Sequence, residues 1–270
     1  MNPPVDLTSP VADPRRLIEL EAAHNVRDLG GYRLADGREI AWGRLLRGDG
    51  LHHLTDADLD ALAPIGLRTV VDLRTHGELD ERGTFPHQRV PLRFVHLPVI
   101  DATWDHGESE QYLADLAARG DGEPEVEFLA WAYRRMLLDG GPGFGAAVRT
   151  LAEPGALPAI FHCAAGKDRT GILAALVLTA LGVDDEVVVA DYALTAAAMP
   201  RLRAWLALNR PEANESMADT PSAFFAAHPA AMQLTLDHVR DTHGSSRSFL
   251  AAHGVDDARL AALADALTVT

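Results

Sequence analysis

The only cysteine and the only lysine of this 270-residue chain lie four positions apart in one short segment. The segment reads HCAAGKDRTG and runs from His162 to Gly171, so that Cys163 precedes Arg169 by six positions. A cysteine thiolate is a strong nucleophile, and the planar fork of an arginine binds two oxygens of an oxyanion at once. The pattern predicts a loop that binds a phosphate group and directs a thiolate at its phosphorus atom.

Apolar residues on both sides of this loop indicate the elements that hold it. Residues 158–161 form a short apolar run that is typical of a buried strand, and residues 171–182 are typical of an apolar helix that ends at a glycine. A loop between a strand and a helix N-terminus directs free backbone N–H groups inward and adds the positive end of the helix dipole. We therefore expect this field to bind an anion and to favour the thiolate form of Cys163.

Each residue type in the loop has a predicted role. The Arg169 guanidinium and the backbone N–H groups grip the phosphate oxygens, and Lys167 adds a second positive charge. Thr170 is within reach of the sulfur as a hydroxyl donor, and His162 supports the loop through backbone hydrogen bonds. The predicted phosphate-binding residues are Ala164, Ala165, Gly166, Lys167, Asp168 and Arg169.

The chain resembles a known family at these residues. HCAAGKDRT is similar to the signature of the bacterial tyrosine-phosphatase-like family, and four more segments look like blocks of that family in the same order. They are NVRDLGGY at 25–32, GRLLR at 43–47, TVVDLR at 69–74 and VADY at 189–192. The resemblance covers the chain roughly from residue 21 to the C-terminus. It implies hydrolysis of phosphotyrosine through a cysteinyl-phosphate intermediate, with dual specificity or phosphoinositide monoesters as wider options for the substrate.

The leaving oxygen of a phosphate ester needs a proton, and three aspartates compete as its donor. Asp168 lies in the loop beside Arg169, and the family resemblance points to it most directly; its alternative role is to orient Arg169. Asp72 ends a predicted strand, where site residues are often placed, and its alternative role is a cap or an ion pair with Arg74. Asp101 occupies an upstream loop of the kind that delivers the acid in other cysteine phosphatases. The order of preference is Asp168, then Asp72, then Asp101.

Two other classes of protein use related loops. A sulfurtransferase or an arsenate reductase also combines a cysteine with an arginine, but the flanking His and Thr-Gly and the lack of a second cysteine weigh against both. The presence of both Cys163 and Arg169 argues against the third alternative, a phosphate-binding module without catalytic activity. A nucleotide-binding Walker A loop is excluded, because Phe161 and Asp168 stand where that motif needs a glycine and a hydroxyl residue.

The overall charge predicts the kind of partner. The formal net charge of −15 disfavours nucleic acid and anionic membrane surfaces over most of the molecule. A phosphate must then be captured by a local positive pocket, to which Arg169, Lys167 and Arg74 contribute. We expect a phosphorylated protein, peptide or small phosphoester as the substrate. Neither a metal ion nor an organic cofactor is expected, since the reaction needs none and the twelve histidines show no metal-binding pairing.

Composition also predicts the location of the protein. No apolar run is long enough to span a bilayer, and the N-terminus lacks the basic and apolar regions of a signal peptide. A single cysteine excludes an intramolecular disulfide. These features predict a cytoplasmic protein without a transmembrane segment.

Alternating strand and helix patterns predict the fold class. Strands expected at 68–73, 94–97 and before the loop alternate with helices, which indicates an α/β fold with a mostly parallel central sheet flanked by helices, like that of the cysteine phosphatases. The C-terminal third is helical by pattern. Residues 1–14 are expected to be flexible and unpacked, and 15–270 to form a single domain.

Local signals refine this arrangement. Thr55 and Asp58 form a capping box that predicts a helix start, and Asp36-Gly37 predicts a hairpin turn. The glycine-rich stretch 139–145 is interpreted as a helix stop and linker. Residues 196–228 contain several large apolar side chains and either form a helical lid over the loop or pack as ordinary core.

Overall fold

The computed structural model describes residues 10–100, 106–119, 123–211 and 225–270. Its centre is a five-stranded sheet in which four neighbouring strands are parallel and one edge strand is antiparallel. In spatial order the strands are β1 (Arg27–Asp28), β3 (Leu45–Gly48), β6 (Ala159–His162), β4 (Thr69–Asp72) and β5 (Arg93–His96). A separate two-stranded sheet pairs β2 (Glu39–Ile40) with β7 (Thr268–Val269). The predicted fold class, a mostly parallel sheet in an α/β protein, is confirmed.

Register brings the ends of three strands to one edge of the sheet. His162, the last residue of β6, lies opposite Gly48 of β3 on one side and Asp72 of β4 on the other. The chain segments that follow these strands therefore leave the sheet side by side. In parallel sheets this carboxyl edge is where ligands bind. The cysteine loop starts there, directly after His162.

Helices surround the sheet, and their boundaries follow local signals. The Thr55 hydroxyl accepts the Asp58 N–H while the Asp58 carboxylate accepts the Thr55 N–H, so the predicted capping box is present. The helix after the loop ends at Gly182 in the left-handed region, as predicted. The helices in the described residues are α1 (Asp56–Leu62), α2 (His76–Arg82), α3 (His106–Arg119), α4 (Pro124–Leu151), α5 (Asp168–Leu181), α6 (Asp185–Ala193), α7 (Thr195–Asn209), α8 (Pro229–His243), α9 (Ser246–Ala252) and α10 (Asp257–Leu267).

The prediction of a helix stop at the glycine-rich stretch 139–145 is wrong. The stretch lies inside α4, a helix of 28 residues that continues through the glycines to Leu151. A Cβ atom added to Gly140 would lie 2.4 Å from a side-chain carbon of Val99, and one added to Gly145 would lie 2.2 Å from the carbonyl oxygen of His253. Glycine therefore lets α4 approach two neighbouring segments closely, and this packing outweighs the low helix propensity of the residue.

One side chain of the N-terminal segment packs against the rest of the molecule. Val11 is buried and belongs to the main hydrophobic core, whereas Pro14 is exposed. Residues 1–9 lie outside the described residues. None of the helices in the described part of the chain has both the length and the apolar character needed to cross a lipid bilayer.

Candidate active site

The scaffold holds the carbonyl groups of the cysteine loop from behind. Four successive loop carbonyls accept hydrogen bonds from the scaffold or from the first turn of α5. Ala164 accepts from the N–H of Gly50 at 2.9 Å, Ala165 from the side-chain amide of Asn25 at 2.9 Å, Gly166 from the guanidinium of Arg47 at 2.8 Å and Lys167 from the N–H of Gly171 at 2.8 Å. The N–H and C=O of a trans peptide point in opposite directions, so the loop N–H groups are turned to the other side.

These N–H groups are available for an anion. Within the described residues, the N–H groups of Ala165, Gly166 and Asp168 donate to no acceptor of the protein. Gly166 has φ +66°, and a Cβ atom there would lie 2.6 Å from the Gly48 carbonyl oxygen, so the turn requires glycine. The loop then enters the N-terminus of α5, whose dipole adds positive potential. The predicted strand–loop–helix cradle is therefore formed.

Arg169 is held by a residue that the sequence analysis missed. Its two terminal nitrogens donate to the two carboxylate oxygens of Glu78, at 2.5 and 2.9 Å. Glu78 in turn belongs to a capping box with Thr75 at the start of α2. The Thr-x-x-Glu spacing was a signal for this helix start, but nothing in it pointed to Arg169.

The Arg169–Glu78 pair stays charged. Burial alone would raise the pKa of the Glu78 carboxyl, but the hydrogen bonds and charge of Arg169 outweigh it and lower that pKa to about 2. Burial also opposes the positive charge of Arg169, yet Glu78 and the negative charge of a Cys163 thiolate raise the Arg169 pKa above its ordinary value. Arg169 is therefore a fixed guanidinium of the same loop as Cys163, which is buried with 2% of the residue exposed.

Asp168 is the predicted acid that the structure brings to the open side of the loop. One carboxylate oxygen accepts the Tyr133 hydroxyl at 2.7 Å and lies 3.2 Å from the Lys167 ammonium. The Tyr133 hydroxyl donates its one hydrogen to Asp168, so it must accept the hydrogen bond from the Tyr192 hydroxyl, at 2.6 Å. Lys167 also donates to the Ala226 carbonyl at 3.0 Å. Tyr133 and Tyr192 thus orient the carboxylate.

The other two aspartates are placed differently. Asp72 is fully buried and binds Arg74 through both carboxylate oxygens, the shortest distance being 2.6 Å. Burial opposes the charged form of Asp72, but His162, and then the hydrogen bonds and charge of Arg74, outweigh it and lower the Asp72 pKa to about 2. This is the ion pair that the sequence left open as an alternative, and neither residue lines the cavity described below. Asp101 lies outside the described residues.

Comparison with known proteins identifies the family. The profile of the tyrosine phosphatase family matches residues 18–269. The chain belongs to this family. The resemblance predicted from the loop is therefore confirmed, and the predicted enzyme class, a phosphoric monoester hydrolase, is the one that the family name describes.

Three relatives of this chain show how far the similarity extends. A Cupriavidus necator protein named as a tyrosine-protein phosphatase is 33% identical over 178 residues, which are 66% of this chain and 62% of the relative. The triple specificity protein phosphatase PtpB of Mycobacterium tuberculosis is 34% identical over 213 residues, 69% of this chain and 71% of the relative. A Nostoc commune tyrosine-protein phosphatase is 34% identical over 153 residues, 54% and 46% of the two chains. The matched region therefore spans less than two thirds of the Cupriavidus and Nostoc relatives.

Segments quoted from the sequence as family blocks meet behind the phosphatase loop. Arg27 and Arg47 both bind Asp191, with distances of 3.1 and 2.8 Å, and all three side chains are at most 3% exposed. The Tyr32 hydroxyl donates to the same carboxylate at 2.9 Å. These residues come from three separate segments, 25–32, 43–47 and 189–192, so only the fold reveals that they form one cluster.

The remaining predicted loop residues are buried. His162 lies with Nδ1 3.2 Å from the Cys163 carbonyl oxygen, which fits its predicted supporting role, and burial lowers its pKa so that the ring is neutral. The Thr170 hydroxyl makes no hydrogen bond to any described residue.

A cavity of about 470 Å³ opens in front of the loop. The loop and α7 both contribute to its lining. The residues that they contribute are Ala164, Ala165, Lys167 and Asp168 from the loop, and Met199, Leu202, Arg203, Trp205 and Leu206 from α7. Cys163, which is buried, and Arg169, which is partly buried, are not among the residues that line the cavity. Of the segment predicted as a lid, residues 212–224 lie outside the described part of the chain.

Proposed function

We propose that this protein is a cysteine-dependent phosphatase that hydrolyses phosphotyrosine in proteins or peptides. The observation that carries the proposal is the loop itself, in which free N–H groups face away from the scaffold between Cys163 and the fixed Arg169. A dianionic phosphate fits this arrangement, because each of its oxygens can accept from loop N–H groups or from the guanidinium. A guanidinium has five N–H donors, and Glu78 takes two of them, which leaves three for the phosphate.

The proposed reaction has two steps. The Cys163 sulfur attacks phosphorus, an S–P bond forms, the bond to the tyrosine oxygen breaks, and Asp168 gives that oxygen its proton. Water then attacks the cysteinyl-phosphate, Asp168 takes a proton from the water, and the P–S bond breaks to release inorganic phosphate and the thiolate. Asp168 is preferred over Asp72 because it borders the cavity, whereas Asp72 is committed to Arg74.

Protein substrates are preferred over lipids in this proposal. Names of two relatives refer to tyrosine-protein phosphatases and one to triple specificity, which supports phosphotyrosine first and phosphoserine or phosphothreonine as further substrates. Lys167, the residue that would extend the range to phosphoinositides, is bound to Asp168 and the Ala226 carbonyl. The net charge of −15 also opposes an anionic bilayer.

A substrate panel tests the proposal. Phosphotyrosine peptide, phosphoserine peptide, phosphoinositide micelles and thiosulfate are offered to the wild-type protein, and the phosphotyrosine peptide should have the highest kcat/KM. Turnover of thiosulfate alone would identify a sulfurtransferase, and phosphate binding without any turnover would identify a binding module.

The variant C163S tests the nucleophile. It should lose turnover but keep its affinity for phosphate, because the N–H cradle and Arg169 remain. Residual activity above about one per cent of wild type on an aryl phosphate would contradict covalent catalysis by Cys163.

A further inference from the structure

The cluster behind the loop carries an unbalanced positive charge. Arg27 and Arg47 share the single carboxylate of Asp191. Arg16 and Asp28 lie next to this group, joined by a hydrogen bond from the Arg16 guanidinium to the Asp28 carbonyl at 2.6 Å, and add one charge of each sign. The five side chains therefore hold three guanidiniums and two carboxylates. All are buried, so solvent screens the surplus charge weakly.

Arg47 brings this charge to the back of the loop. Its Nη1 binds Asp191 while its Nη2 donates to the Gly166 carbonyl. The same Nη2 would lie 3.5 Å from a Cβ atom at Gly171, in the first turn of α5, so the guanidinium touches both the loop and the helix. Burial and the nearby Arg27 lower the Arg47 pKa to about 10, while Asp191 and a Cys163 thiolate act in the opposite direction, so Arg47 remains a cation at neutral pH.

A hydrogen bond to the loop would not need a charge. The neutral side-chain amide of Asn25 donates to the neighbouring Ala165 carbonyl at 2.9 Å. This hydrogen bond is about as short as the one from Arg47 to the Gly166 carbonyl, which is 2.8 Å. Burying a guanidinium is unfavourable compared with burying an amide. The charge of Arg47 therefore serves more than the support of one carbonyl.

Three other cations in the loop or beside it are each paired with a carboxylate. Arg169 is paired with Glu78, Lys167 with Asp168 and Arg74 with Asp72. Other titratable groups packed around the loop include Asp49, His52, His162, Tyr133 and Tyr192, of which the two histidines are neutral because burial lowers their pKa values. The Asp49 carboxyl, whose pKa burial raises to about 6, adds negative charge at the end of β3, and Arg82, Arg203 and Arg210 add positive charge along the cavity. Behind the loop, Arg27 and Arg47 are the buried guanidiniums that share one carboxylate.

We propose that the buried charge of Arg47, unmatched because Arg27 and Arg47 share Asp191, stabilises the Cys163 thiolate and the bound phosphate from behind the loop. Arg47 is then a positioning residue, since it acts through the Gly166 peptide and through its field. The inference rests on the proposed function, but it concerns the state of the thiol and can be measured without turnover.

Alkylation of Cys163 provides the measurement. It is the only cysteine of the chain, so iodoacetamide reports on this thiol alone in the folded protein. The rate is measured against pH for wild type and four variants. R47Q keeps a hydrogen-bond donor for the Gly166 carbonyl but removes the positive charge, whereas R47K keeps that charge. N25A removes the donor to the neighbouring Ala165 carbonyl without changing the charge. D191N removes the carboxylate that Arg27 and Arg47 share.

The pH midpoint of Cys163 alkylation should shift in opposite directions in R47Q and D191N. The midpoint of the rate–pH profile should rise by about one unit in R47Q and fall in D191N, whereas R47K and N25A should stay close to wild type. Equal shifts in R47Q and N25A would mean that Arg47 only supports the loop, and no shift in either R47Q or D191N would overturn the proposal. If R47Q fails to fold, as judged by circular dichroism, the sign of the D191N shift decides.

Inorganic phosphate separates this inference from the proposed function. Phosphate should protect Cys163 from alkylation, and the concentration needed should be about tenfold higher in R47Q than in R47K. Equal protection of the two variants would contradict a role of the charge in phosphate binding. An inactive wild-type protein would refute the phosphatase proposal while leaving the alkylation and protection results to judge Arg47.

Discussion

At the scale of single residues, Asp168 is held in place by two neighbours. The Tyr133 hydroxyl and the Lys167 ammonium both bind the same carboxylate oxygen. In the proposed reaction, this carboxyl group gives a proton to the leaving oxygen.

The variant D168N tests this role through the leaving group. Phosphotyrosine has a poor leaving group that needs a proton, so its turnover should fall by about a hundredfold or more. Turnover of p-nitrophenyl phosphate should fall by less than about tenfold, because its leaving group needs little help. A similar loss on both substrates would make Asp168 structural, and D101N would then be examined with the same pair, with D72N as the buried control.

Residues that act within one segment could be predicted, whereas their partners could not. The roles of Cys163 and Arg169 follow from a spacing of six positions. Their supports come from far away in the chain: Glu78 is 91 residues from Arg169, and Asn25 and Arg47 are 140 and 119 residues from the carbonyls they hold. No local pattern encodes such contacts, because they depend on the order of strands in the sheet.

At the scale of elements, the glycines of α4 show the same limit. Glycine is a sign of a helix end when only local propensity is considered, yet here it marks a close helix contact. The strands and the helix after the loop were predictable because their apolar patterns repeat locally. The continuity of α4 was not, because it depends on Val99 and His253.

The variant G145A distinguishes the two interpretations by the sign of its effect. In an exposed helix the change would stabilise the protein by about 1 kcal/mol, since alanine has the better helix propensity. Against the His253 carbonyl the added Cβ should instead destabilise it by about 1–3 kcal/mol. Urea unfolding measures the difference, and an increase in stability would show that the contact relaxes freely. L138A, at a side chain that is 76% exposed on the same helix, is the control.

Helix α7 contributes five residues to the lining of the cavity. Trp205 lines the cavity, and its ring lies 5.0 Å from that of His53. If α7 acts as a lid, W205A should loosen it and expose the thiolate, so that peroxide inactivates the enzyme severalfold faster. No second cysteine can trap the sulfenic acid, so exclusion of oxidant matters more in this chain.

A matched substitution on the same helix controls this experiment. Leu208 is 83% exposed and does not line the cavity, so L208A should leave the rate of inactivation unchanged. Equally fast inactivation of wild type, W205A and L208A would show that α7 gives no protection.

At the scale of the whole molecule, buried ionisable groups predict a loss of stability in acid. Burial is the main cause that lowers the pKa values of five histidines, His52 to about 2 and His53 to about 4. The other three are His24, His162 and His238. As the pH falls below 6.5, these groups take up protons in the unfolded chain before they do so in the folded one. Folding is then opposed, by up to about 1.4 kcal/mol per pH unit for each group.

Two carboxyl groups act against this trend. Burial raises the pKa of Asp49 to about 6 and also raises that of Asp28, so the folded protein binds these protons first and gains stability as the pH falls.

The five histidines outnumber these two carboxyl groups, and the free energy of unfolding should therefore decrease from pH 7.5 to pH 5. Urea titrations at intervals of half a pH unit measure this slope. D49N should make the decrease steeper below pH 6, and H53Q should make it shallower. A free energy of unfolding that stays level or rises toward pH 5 would show that the buried histidines ionise within the folded protein.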